Sequence, residues 1–150
     1  VLDGPEAGYK VTYTQADAEA VTAEDGRVIL MDEHLADSDA MDYDMDRADG
    51  EWALSDYVQK GIEVLDNDTG FFMMCEGGKI DWACHGNDPA TVFEEVVDMD
   101  NAIKVAYDFY KKHPKETLIV VTADHETGGL GLGTGKYELQ LKALAKQKQS

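Results

Sequence analysis

The fold of this chain is decided by the stretch Thr122-Ala123-Asp124-His125-Glu126-Thr127-Gly128-Gly129, which follows the apolar run Leu118-Ile119-Val120-Val121. A short apolar run rich in β-branched residues is typical of a buried strand. The glycines allow the strand to turn into a loop. Neighbours on a strand point to opposite faces, so Asp124 and His125 can converge only in that loop. A carboxylate and an imidazole together suit a divalent metal ion such as zinc.

A second stretch of the chain repeats this combination. The apolar run Phe71-Phe72-Met73-Met74-Cys75 ends at Glu76-Gly77-Gly78, and Asp81 and His85 follow four residues apart. If residues 81–85 are helical, these two side chains share one face and can bind one ion together. The sequence therefore predicts two strand ends, each with a carboxylate, a histidine and glycines.

The segment between the two motifs predicts a long helix. Apolar residues recur there at alternating steps of four and three, which predicts a buried stripe: Val92, Val96, Met99, Ile103, Ala106 and Tyr110. The helix should begin near Pro89 and stop before Pro114, which cannot continue it. Strand, helix and strand form a βαβ unit, so the two strands should be parallel with a right-handed crossover.

A parallel pair leaves both motifs at the same edge of the sheet, where open α/β sheets bind their ligands. We therefore expect five candidate metal ligands in one crevice: Glu76, Asp81, His85, Asp124 and His125.

The rest of the chain is less strongly patterned. Residues 9–13 and 27–31 predict two strands, with a short helix over 17–22 between them. A helix is expected from Leu54 to Leu65, with Ser55 as its N-cap. We divide the single partial domain, 1–150, into a loosely patterned segment (1–50), a βαβ core with the metal motifs (54–132) and an amphipathic tail helix (136–150).

Residues 75–85 and 121–129 resemble the two C-terminal metal-ligand motifs of bacterial alkaline phosphatases. Their order and the helix-sized spacer between them also agree. The resemblance is specific over 54–132, looser over 41–47, and not evident beyond Gly135. It implies an α/β fold of the alkaline phosphatase type, here a partial α/β/α sandwich with a mostly parallel sheet.

The resemblance also implies a role for each ligand. Glu76 matches the magnesium-binding glutamate of the family. Asp81 and His85 match ligands of the zinc ion that activates the attacking water and stabilises the leaving group. Asp124 and His125 match ligands of the second zinc ion, which binds the oxygen of the nucleophile. Two divalent ions about 3.5–4 Å apart can stabilise both the entering and the leaving oxygen of a phosphoryl transfer.

Three parts of the family pattern have no counterpart that we can identify. These are the nucleophilic Ser or Thr, the first metal-binding Asp and the last zinc-binding His. Ser38 follows Asp37, but it lacks the small residues and the Thr that follow the family's nucleophile. We therefore assign no catalytic residue.

Two classes of function remain open at this point. The first is the metal-binding portion of a phosphomonoester hydrolase, inactive as an isolated chain, whose full enzyme would use phosphate monoesters. The second is a non-catalytic metal-binding or interaction fragment. Within the wider superfamily, a piece of a phosphodiesterase or pyrophosphatase is a further alternative, although the spacing from Glu76 to His85 favours the phosphatase.

Composition restricts the partners. The formal charge of -18 in 150 residues argues against nucleic acid binding. No apolar run approaches the ~18–20 residues of a membrane helix, and we find no signal peptide. The resemblance would place the parent protein in the periplasm or outside the cell, and a homodimer is left open.

The two cysteines, Cys75 and Cys84, could pair or stay free. We prefer to interpret both as small buried hydrophobic residues.

Overall fold

The structure is a computed structural model that describes residues 5, 7–36, 39–127, 129–131 and 141–150. Its sheet has two parallel strands, β1 (Lys10–Thr12) and β2 (Val28–Leu30). The connection between them contains helix α1 (Gln15–Glu19) and a short 3-10 helix (Ala23–Asp25). Both strands and the intervening helix were predicted, and a parallel sheet with helices beside it confirms the α/β class.

Three further helices carry the rest of the packing. They are α2 (Leu54–Leu65), α3 (Gly78–His85) and α4 (Pro89–Lys112), and α4 packs against both of the others. Helix α4 ends before Pro114, as predicted. Among the described residues, no helix combines the length and the apolarity needed to cross a membrane.

The ends of α2 and α4 are capped in different ways. The N-cap of α2 is Ala53, whose N–H donates to the side chain of Asp56, so the prediction that Ser55 caps this helix is wrong. The N-cap of α4 is Asp88, which accepts from the N–H of Thr91 at 3.3 Å and from its hydroxyl at 2.8 Å. The amide of Gln147 also donates to Asp88, at 2.8 Å. A charged cap therefore joins the start of α4 to the C-terminal segment.

The buried apolar residues are mostly small. They are Ala18, Val21, Val58, Ala83, Cys84, Ala90 and Ala102. Large apolar side chains are found instead at partly or fully exposed positions. The chain thus builds a thin core, centred on the contacts that α4 makes with α2 and α3.

The buried face of α4 differs from the predicted apolar stripe. Val96 is 48% exposed, whereas Glu95 and Asp98 are only 5% and 6% exposed. Glu95 accepts a hydrogen bond from the N–H of Asp44 at 2.6 Å, and Asp98 pairs with Arg47 at 3.1 Å. Because the polar segment 44–47 covers this face of the helix, two carboxylates are buried in place of one valine.

The two predicted strands beside the metal motifs are not found. Residues 71–75 and 118–121 belong to no strand, and no strand among the described residues pairs with them. Leu118, Val120 and Val121 are exposed, so the prediction of a buried strand is wrong there. The physical reason is that a strand needs a hydrogen-bonded neighbour, and the described residues supply none at these positions.

The predicted tail helix is only partly within the described residues. Helix α5 (Leu141–Leu144) lies inside it, while 136–140 are outside the described residues, as is Ser38. The division of the chain into three segments stays a prediction.

The cap of α4 gives a first testable prediction. Asp88→Ala should lower the free energy of unfolding by about 1 kcal/mol, because the first-turn N–H groups lose their acceptor. Asp100→Ala, an exposed position on the same helix, is the matched control in a urea denaturation measurement. Equal losses in both variants would contradict a capping role.

The buried carboxylate of Glu95 gives a second prediction. Burial raises the pKa of Glu95, and the nearby charges of Asp98 and Asp44 add to this, against the hydrogen bond from Asp44 and the charge of Arg47. A folded-state pKa above the unfolded value means that the stability contributed by Glu95 is complete below the unfolded pKa. It is lost as the pH rises through the folded pKa.

Glu95→Gln should therefore be more stable than the parent at neutral pH, and the difference should shrink as the pH falls towards 4. The amide oxygen of Gln can still accept from Asp44. Unfolding free energies measured from pH 4 to 7 check this, with Glu94→Gln at the exposed neighbouring position as the control. A difference that does not change with pH would contradict the prediction.

Candidate metal centre

Helix α3 positions the first pair of candidate ligands. Asp81 and His85 lie one turn apart on one face, as predicted, with Nε2 of His85 3.3 Å from Oδ1 of Asp81. This Oδ1 is buried and has no hydrogen-bond partner among the described residues. A buried carboxylate oxygen normally has a partner, so its absence indicates a site for one.

The loop that follows residues 118–121 positions the second pair. Oδ2 of Asp124 lies 3.3 Å from Nε2 of His125, and Oδ1 of the same carboxylate accepts from the N–H of His125 at 3.0 Å. Both side chains are exposed. The carboxylate oxygen and the imidazole nitrogen thus converge in the loop, as the sequence predicts.

Hydrogen bonds within this loop orient the imidazole of His125. Its Nδ1 lies 2.5 Å from the backbone carbonyl oxygen of Glu126, which can only accept. Nδ1 therefore carries the proton, and in the neutral ring the lone pair is on Nε2, the atom that faces Asp124. The carboxylate of Glu126 accepts from the N–H of Gly129 at 2.7 Å, which closes the loop.

The electrostatic environment of His125 includes acidic groups of both motifs. The pKa of His125 is raised by the carbonyl of Glu126 and by the charge of Asp124, with smaller contributions from Asp81 and Glu126. Asp81 belongs to the other motif, 44 positions earlier in the numbering. The charge of Asp81 is thus one of the smaller causes that raise the pKa of His125.

Glu76 lies apart from both pairs, at the start of α3. Its carboxylate folds back towards Gly78, where a Cβ would lie 3.5 Å from Oε1. Glu76 lines a cavity of about 310 Å³ together with Arg47, Lys79, Glu95 and Asp98. The buried carboxylates of α4, Glu95 and Asp98, therefore line the same cavity as Glu76, the residue expected to bind magnesium.

Lys79 is a residue of this region that the sequence analysis missed. Its ammonium lies 4.2 Å from the ring centroid of Tyr43 and 4.3 Å from that of Trp82. Cation–π contacts of this kind hold α3 against the segment around Tyr43. The looser resemblance over 41–47 was the only signal in the sequence that pointed to that segment.

The structure brings the five candidate ligands together only in part. Among the described residues, no three His, Cys, Asp or Glu side chains lie close enough to hold one metal ion. The single five-ligand crevice stays a prediction. Cys84 is buried and free, as preferred, whereas Cys75 is free but exposed, so its prediction as a buried residue is wrong.

The spacing within each pair is compatible with two ligands of one metal ion. Two ligands at 2.0–2.1 Å from a tetrahedral ion lie about 3.3 Å apart, and both pairs have a nitrogen–oxygen distance of 3.3 Å. A charge-assisted hydrogen bond would be shorter, at about 2.7–2.9 Å. The unpartnered oxygen of Asp81 and the oriented lone pair of His125 agree with the same chemistry.

Comparisons with known proteins identify the family. The family model described as alkaline phosphatase matches residues 6–150. The chain is 44% identical to alkaline phosphatase 4 of Bacillus subtilis over 90 residues, which cover 59% of this chain and 19% of that protein. It is 41% identical to the alkaline phosphatase of Escherichia coli over 80 residues, covering 53% of this chain and 17% of that protein.

A solved structure agrees with these sequences. The cold-active alkaline phosphatase from the psychrophile Shewanella sp. superposes with a TM-score of 0.80 at 34% identity. The superposition covers 97% of this chain and 35% of that one. The match thus spans about a third of the solved structure and about a fifth of the curated relatives. On the family match and this fold, the chain belongs to the alkaline phosphatase family.

Proposed function

We propose that this chain is the metal-binding portion of a phosphomonoester hydrolase of the alkaline phosphatase type. The observation that carries the proposal is the buried Oδ1 of Asp81, which has no hydrogen-bond partner within the part of the chain that the structure describes and lies 3.3 Å from Nε2 of His85. The equal spacing of Asp124 and His125 supports it. The chemistry of these donor atoms fits zinc, because imidazole nitrogen and carboxylate oxygen are both common zinc ligands.

Under this proposal each pair of side chains holds one zinc ion, and Glu76 contributes to a magnesium site. When bound, the ions would supply Lewis acidity for the entering and leaving oxygens of phosphoryl transfer. The residues of this chain orient the side chains that would bind the ions. The carbonyl of Glu126 fixes the tautomer of His125, and one turn of α3 keeps Asp81 and His85 on the same face.

Charge supports a role for cations at this site. The chain carries a formal charge of -18, which would repel an anionic phosphate monoester. Bound divalent cations are often the largest local charges in a site and can reverse its sign. We therefore propose phosphate monoesters as the substrates of the full enzyme. The bound metal ions would attract these anions.

The proposal also concerns the parent enzyme of which this chain would be a part. A parent enzyme would function in the periplasm or outside the cell, and residues 1–150 would form a single partial domain. The alternative is a non-catalytic metal-binding or interaction fragment. It would have the same metal ligands but would not take part in phosphomonoester hydrolysis. Activity measurements separate the two.

Zinc binding is the first test of the proposal. Calorimetric titration of zinc into the chelator-stripped chain should show saturable binding. Asp81→Ala/His85→Ala and Asp124→Ala/His125→Ala should each weaken it about tenfold or more, because each removes both identified ligands of one site.

Asp100→Ala/His113→Ala removes the same residue types elsewhere and is the control. Binding that neither ligand variant weakens, or that the control weakens equally, would count against the proposal.

Phosphatase activity is the second test. Each pair supplies two ligands to its ion and no nucleophile has been assigned, so the isolated chain should not hydrolyse a chromogenic phosphomonoester. A sensitive assay with zinc and magnesium present checks this. Metal-dependent turnover that Asp124→Ala abolishes would overturn it.

A further inference from the structure

The first turn of α3 begins without a capping side chain. Its N-cap is Gly77, and a Cβ at this position would lie only 3.3 Å from Sδ of Met99 on α4, which leaves little room for one. The helix is 8 residues long, and isolated helices shorter than about 12–15 residues are marginal in water. Contacts with other parts of the chain must therefore stabilise the turn that carries Asp81.

The side chain of Lys79 makes one of these contacts. Its ammonium lies 4.2 Å from the ring centroid of Tyr43 and 4.3 Å from that of Trp82, within the distance of about 6 Å at which a cation is attracted to a ring face. Trp82 belongs to α3 itself. The contact with Tyr43 is therefore the one that joins α3 to another segment.

Buried charges on α4 hold the segment that carries Tyr43. The N–H of Asp44 donates to Glu95 at 2.6 Å, and the guanidinium of Arg47 donates to Asp98 at 3.1 Å. Both accepting carboxylates are buried, where hydrogen bonds are stronger than in water. The ring of Tyr43 thus approaches α3 from a segment whose position is fixed by α4.

The rings also give the ammonium of Lys79 a place apart from the carboxylates around it. Lys79 lines the cavity of about 310 Å³ together with four acidic residues, Asp42, Glu76, Glu95 and Asp98. Within the described ranges of the chain it forms no ion pair with any of them. A lysine paired with a candidate ligand would compete with the metal ion for it.

We propose that Lys79 is a positioning residue of the candidate metal centre. Its contact with Tyr43 holds the first turn of α3, and this keeps Asp81 oriented beside His85, with which it would share a zinc ion. Lys79 itself binds neither metal nor substrate. The inference deepens the proposed function, on which it rests for the identity of the zinc ligands.

The charge of Lys79 and its positioning role predict opposite effects on zinc affinity. The ammonium belongs to a residue two positions before Asp81, so its charge repels a bound cation, and removing the charge alone should strengthen zinc binding. Removing the contact should weaken binding, because a less ordered ligand loses more freedom when the ion binds. The sign of the change therefore identifies the role.

Zinc titration measures this sign. Asp124→Ala/His125→Ala serves as the background, since it leaves one candidate pair of ligands. In this background Lys79→Met should lower the affinity about threefold. Lys79→Arg should restore it, because a guanidinium also binds ring faces. Lys112→Met removes the same charge at an exposed position of α4 and is the control that should not weaken binding.

A double-mutant cycle identifies the partner of Lys79. Tyr43→Leu should weaken zinc binding about as much as Lys79→Met, and the two changes together should cost no more than either one, because they remove the same contact. Tyr13→Leu changes an exposed tyrosine elsewhere and should leave the zinc affinity unchanged.

Hydrogen exchange tests the positioning role without metal. In a chelator, Lys79→Met and Tyr43→Leu should each speed the exchange of the backbone N–H groups of α3, while exchange in α2 stays as in the parent. Lys79→Arg should exchange like the parent.

The possible failures are distinguishable. A parent chain that binds no zinc would count against the proposed function, and exchange in α3 would then decide the role of Lys79 alone. Unchanged exchange in α3 would overturn the inference. So would zinc binding that is equal or stronger in Lys79→Met, or that falls equally in Lys79→Arg.

Discussion

Helix α4 is the element on which the rest of this structure depends. Helices α2 and α3 pack against it, and Phe71 packs on its Phe109. Its buried carboxylates, Glu95 and Asp98, bind the segment that carries Asp44 and Arg47. That same segment brings Tyr43 to Lys79, beside the ligand helix. A change in the register of α4 would therefore move both the core and the start of α3.

The helices could be predicted from the sequence because their signals are local. Proline limits, the helical spacing of apolar residues and the four-residue spacing of Asp81 and His85 act within one or two turns, whereas the predicted cap Ser55 was wrong. The buried face of α4 could not be predicted, since Glu95 and Asp98 are buried by a segment about 50 positions earlier in the numbering. An apolar stripe specifies which side chains can be buried, but tertiary contacts decide which of them are.

The candidate site also has a local part, which the sequence predicts, and a part that depends on tertiary contacts. Each candidate ligand pair is local in sequence, one on a helix turn and one in a glycine-containing loop, and the nitrogen–oxygen distance is 3.3 Å in both pairs. The assembly of all five ligands depends on strands at 71–75 and 118–121, and a strand cannot form without a hydrogen-bonded neighbour. The sequence motif therefore indicates candidate ligands, whereas the sheet that would bring them together depends on tertiary contacts.

The exposed segment 118–121, which lies in no helix or strand, also affects how readily proteases can cut the chain. Exposed segments outside regular secondary structure are preferred places for proteolytic cleavage. Cleavage there would separate Asp124 and His125 from the helices that carry Asp81 and His85. A single cut would leave most of the helical core intact and separate it from two of the five candidate metal ligands.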